Sequence, residues 1–84
     1  MGQKEKLIQR LTSVPRDMTF DEAETLLQYL SYARSNKGKT SGSRVIFTSD
    51  SHPPILLHKP HPRKELLEYQ VKQLIDILKQ EGLI

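Results

Sequence analysis

Two short β-rich runs, Ser43–Thr48 and Ile55–Lys59, stand six residues apart with turn chemistry, Ser49–Pro54, between them. So short a connection makes an antiparallel hairpin of the pair. Alternation then sorts the side chains. On the first run Val45 and Phe47 share one face, and Arg44, Ile46 and Thr48 share the other. On the second, Ile55 and Leu57 oppose Leu56 and His58. A turn centred near Ser51 sets Ile46 against Leu56 and Arg44 against His58. Matching the apolar faces leaves Arg44 and His58 on the outer side, with Cβ atoms about 5 Å apart. A slip of one residue would separate them.

The flanking sequence supplies helices. Lys4–Leu11 places Leu7, Ile8 and Leu11 on one side, and Pro15 drives Val14 out of the helical region. Thr19 and Glu22 form a capping box, with Met18 placed to staple onto Ala23. Ala23, Leu26, Leu27 and Leu30 then give a helix one buried face, and Asp21, Glu22 and Glu24 suit its positive end. Tyr32-Ala33-Arg34 suggests a short strand, and Ser35–Gly42 a polar loop. After the hairpin, a helix is expected from about Glu65 to Gln80, with Leu67, Val71, Leu74, Ile75 and Leu78 inward and Gly82 as its stop. The order α-α-β-β-β-α predicts an α+β fold, a three-stranded antiparallel sheet with helices on one face.

With 84 residues, 36% of them apolar, the chain has material for one domain and one two-layer core. It contains no cysteine, so disulfides and thiolate metal sites are excluded. No apolar run approaches the length of a membrane span, and the first residues lack a signal-peptide core. Lys6 also stands where an acylation signal wants Ser or Thr. A soluble, cytoplasmic protein without membrane contact is expected. Its charge is divided. Residues 34–64 hold seven cations against Asp50 alone, whereas the remainder holds six cations and nine anions. Such a segment is a candidate polyanion footprint, with RNA the expected partner.

All three histidines fall in or beside this segment. His52, between Ser51 and Pro53, reads as a turn residue in solvent. His58 and His61 enclose Lys59 and Pro60, and no Asp, Glu or Cys stands close by in sequence to complete a ligand set. Neither a metal nor another cofactor is therefore expected. Ser41-Gly42-Ser43 is able to cradle an anion through its amides and hydroxyls. No helix has the look of a DNA-recognition helix; the last carries Glu68, Asp76 and Glu81 against Lys72 and Lys79.

Three segments resemble the HicA family, small RNA-cleaving toxins of bacterial type II toxin–antitoxin pairs. They are Gly42-Ser43 leading into a strand that holds Phe47; His61-Pro62-Arg63-Lys64-Glu65-Leu66, near the family's H-P-x-K-E-L; and Ile77-Leu78-Lys79-Gln80-Glu81-Gly82-Leu83, near its I-L-K-Q-A-G-[LI] ending. The resemblance implies a double-stranded-RNA-binding-like core. On that basis residues 1–84 form a single domain, with residues 1–17 an extra N-terminal helix and linker and residues 18–84 the core. It further implies an mRNA interferase, an endoribonuclease that blocks translation without a metal, neutralised by a HicB-type antitoxin.

One position departs from the family. Its catalytic histidine follows the Gly-Ser pair, where this chain has Arg44. A guanidinium stays protonated and does not accept a proton from a ribose hydroxyl, but it binds phosphate and stabilises developing negative charge. His58 or His61 would then supply the imidazole, with Arg44 as the third catalytic group. Lys37, Lys39, Ser41, Ser43, Arg44, Lys59, Arg63 and Lys64 are the expected RNA-binding residues. The alternative is a catalytically inactive RNA-binding or protein-binding module of the same fold.

Overall fold

The computed structural model describes residues 2–35, 44–60 and 63–84. Among them are three helices and a three-stranded antiparallel sheet in the order α-α-β-β-β-α, an α+β fold. Helix α1 (Gln3–Thr12) buries Leu11 completely and lays Leu7 and Ile8 against the same core. Its exit is sharp, because Val14, ahead of Pro15, takes φ 51°. A β-branched residue rarely adopts this left-handed conformation. Arg10 braces the corner: its Nε donates to Glu22 Oε2 at 2.8 Å and its Nη2 to Asp17 Oδ1 at 3.1 Å.

Helix α2 (Phe20–Tyr29) begins with the expected capping box. The Glu22 amide donates to Thr19 Oγ1 at 3.2 Å, and the Thr19 amide donates to Glu22 Oε1 at 3.0 Å. Met18, Phe20, Ala23, Leu26, Leu27 and Leu30 are buried. The helix ends with Ser31 at φ 71°, its amide bonded to Gln28 O and that of Tyr32 to Leu27 O. Together these two bonds are a Schellman closure.

The sheet order is β1 (Ala33–Arg34), β2 (Arg44–Thr48), β3 (Ile55–His58). The β2–β3 register pairs Arg44 with His58, Val45 with Leu57, Ile46 with Leu56 and Phe47 with Ile55. This is the hairpin that alternation predicted. Phe47, Ile55 and Leu57 are buried in one core with the helical side chains, and the Phe20 and Phe47 rings lie 6.1 Å apart. Arg44, Thr48, Leu56 and His58 are exposed.

Helix α3 (Glu68–Gln80) starts three residues later than its sequence suggests. Residues 64–66 instead lie antiparallel to 18–20: Thr19 bridges Glu65, the Phe20 amide donates to Lys64 O, and the Leu66 amide to Met18 O. The bond from Phe20 takes the Lys64 carbonyl that a helix starting at Glu65 would use as its first acceptor. The bond from Leu66 gives its amide a partner that a first helical turn would not supply. Leu67, expected inward, is the N-cap and 38% exposed; Leu66, 1% exposed, fills the core in its place. Val71, Leu74, Ile75 and Leu78 do face inward. Gly82, at φ 72°, closes the helix with its amide on Lys79 O and that of Leu83 on Leu78 O.

Candidate functional site

Strand pairing brings Arg44 and His58 side by side at the open end of the hairpin, both exposed on the face away from the core. Beyond His58 the chain runs through Lys59 and Pro60, and a depression of about 340 Å³ opens there. Its lining includes His58, Lys59, Pro60 and Arg63, with Leu67, Tyr69 and Gln70 from the start of α3. A second depression, about 250 Å³, shares Lys59, Pro60 and Arg63 and adds Lys64 and the Thr19–Asp21 segment.

Gln70 fixes this geometry. It is 4% exposed; its Nε2 donates to His58 O at 2.8 Å, and its Oε1 accepts from the Leu67 amide at 2.9 Å. One side chain thus ties the end of β3 to the cap of α3. Lys59 is held from below, its Nζ 5.8 Å from the centre of the Phe20 ring. Among the described residues no carboxylate lies within ion-pairing distance of Arg44, Lys59, Arg63 or Lys64. Arg34 differs: Glu24 Oε1 accepts from its Nη2 at 2.7 Å, so this cation of the basic segment is already matched. Of the described cations of residues 34–64, Arg34 is therefore paired, and Arg44, Lys59, Arg63 and Lys64 are exposed without a carboxylate partner.

His52 is not a free turn residue. It is half-buried, with Nδ1 2.9 Å from Glu81 Oε1 and its ring stacked on Tyr32 at 6.3 Å. Tyr32 donates its hydroxyl proton to Pro53 O at 2.9 Å, and burial, aided by Glu81, raises its pKa. His52 therefore latches the hairpin turn to the end of α3, away from Arg44. The reading of it as solvent-facing missed a partner 29 residues along the chain.

Of the other expected site residues, Lys37, Lys39, Ser41, Ser43 and His61 lie outside the described residues. Gln70 and Tyr69 were not singled out from sequence. Tyr69 was visible as an aromatic out of phase with the Val71, Leu74, Ile75, Leu78 stripe; Gln70 gave no such signal. Among the described residues no group of three His, Asp or Glu side chains is placed to hold a metal ion, and no helix is long and apolar enough to cross a membrane.

The family model for the HicA toxin of bacterial toxin–antitoxin systems matches residues 20–83. The chain belongs to the HicA toxin family. It is thus a toxin of the toxin–antitoxin class, and the family implies an antitoxin partner. Comparison with curated proteins and with solved structures gave no match. The match to the HicA model begins at Phe20, so α1 precedes it, although Leu11 of α1 is built into the same core.

Proposed function

We propose that this HicA-family toxin cleaves single-stranded mRNA without a metal, in the cytoplasm, and is silenced by a HicB-type antitoxin covering the basic face. The observation that carries the reading is the cross-strand pair Arg44 and His58, both exposed, with Lys59 and Arg63 lining the same depression as His58. His58 takes the proton from a ribose 2′-hydroxyl, and that oxygen attacks the adjoining phosphorus. The P–O2′ bond forms as the P–O5′ bond breaks, and the imidazolium returns its proton to the departing O5′. Arg44 neutralises the crowded phosphate, the place where charge develops. His61, two residues beyond Lys59, is the other candidate for the proton transfer. Lys37, Lys39, Ser41, Ser43, Lys59, Arg63 and Lys64 hold the strand on either side.

The test is incubation of the purified protein with single-stranded RNA in excess EDTA. Fragments ending in 2′,3′-cyclic phosphate and 5′-hydroxyl groups are expected. RNA that is bound yet stays intact would reject the mechanism. It would instead favour an inactive RNA-binding module, the reading suggested by Arg44 where the family has histidine.

A further inference from the structure

Tyr69 is the most exposed large apolar side chain among the described residues, at 57%, yet its neighbour Gln70 is buried and hydrogen-bonded to both β3 and the cap of α3. Tyr69 occupies the first turn of α3, next to Gln70, whose amide clamps that turn to β3. The helix's inward stripe does not use it. With exposed Leu67 it lines the depression that His58, Lys59, Pro60 and Arg63 also line. At about 340 Å³ this hollow lies near the lower end of the range for small-ligand sites, about 300–1,000 Å³.

We infer that the depression is a nucleobase-stacking subsite, with Tyr69 as the platform and Lys59 and Arg63 holding the phosphate of the same nucleotide. The inference rests on the RNA reading above and extends it to a residue that reading does not use. An acidic peptide would satisfy the cations, but its carboxylates offer no aromatic face to a phenol ring. A nucleotide of single-stranded RNA carries an aromatic face and a phosphate in one repeating unit, and such sites pair stacking aromatics with cationic grooves. His58 lines the same hollow, so a base seated there brings its ribose to the end of β3, beside the Arg44 pair. Tyr69 is thus a positioning residue that selects which phosphodiester meets the imidazole.

Stacking and phosphate contact separate by salt. The experiment titrates the full-length protein with fluorescent, fully 2′-O-methylated single-stranded RNA, whose attacking hydroxyl is blocked, across a series of salt concentrations. Tyr69→Ala should weaken binding about 5- to 100-fold at every salt while leaving the slope of log affinity against log salt unchanged. Tyr69→Trp should restore it. Arg63→Ala should flatten that slope by about 0.7. With 2-aminopurine in the RNA, the wild-type protein should quench the base and Tyr69→Ala should not. Wild-type affinity in Tyr69→Ala, with RNA still bound by wild type, overturns the subsite alone. A loss in Tyr69→Ala confined to antitoxin binding also overturns it and makes Tyr69 a protein contact. No RNA binding by wild type at any salt overturns both the subsite and the proposed function.

Discussion

Glu22 sits between opposed effects. Desolvation by burial raises its pKa, but the Thr19 amide and the Arg10 guanidinium outweigh that and hold the carboxyl below its ordinary value of 4.5. The folded-state pKa lies below the unfolded one, so this contribution is complete above about pH 4.5 and is lost as pH falls through the folded value. Urea melts at pH 7 and pH 3 should show wild type losing more stability on acidification than Glu22→Gln. Equal losses would mean that the carboxylate is not held. Thr19→Ala, which removes the other half of the box, should cost about 1 kcal/mol. Ser31 carries strain of a different kind. Its left-handed backbone costs a non-glycine residue roughly 1–2 kcal/mol, and glycine's greater freedom in the unfolded chain takes back about 0.5–1. Ser31→Gly is thus expected to raise stability by about 0.5–1 kcal/mol, read as a higher urea midpoint with an unchanged m-value.

Among the elements, the joint between β3 and α3 depends on Gln70. Gln70→Leu keeps the volume but strips hydrogen bonds from His58 O and the Leu67 amide, at a cost of about 2 kcal/mol. Amide exchange at the first turn of α3 should quicken with it; unchanged exchange there would show that the clamp is not needed. How legible each element is from sequence follows from how local its causes are. The hairpin register was legible because a period of two and a short turn leave little choice, so Arg44 opposite His58 emerged from pattern alone. The α2 box was legible for the same reason, as its partners are three residues apart. The start of α3 was not. Glu65 and Leu66 suit a helix locally, but pairing with residues 18–20, more than forty positions upstream, claims their backbone. His52 failed likewise, since its partner Glu81 lies at the far end of the sequence.

At the scale of the whole molecule, positive charge is concentrated in residues 34–64, with seven cations against Asp50 alone. Arg34 is matched by Glu24, whereas Arg44, Lys59, Arg63 and Lys64 are exposed and, among the described residues, have no carboxylate partner. Four phosphate contacts to single-stranded RNA correspond to a log–log salt slope near −3. An acidic antitoxin drawn to these cations should slow amide exchange through residues 44–64 on binding, and unchanged exchange there would place the partner elsewhere. The core claim is that guanidinium and imidazole act as one unit on a single phosphodiester. It is tested most directly by cleavage rates, in EDTA, of wild type, Arg44→Ala, His58→Ala and the double variant. Each single change should slow cleavage about 10²-fold or more, and the double variant should be little slower than the worse single. Wild-type rates in His58→Ala, or losses that multiply in the double variant, would contradict the pairing.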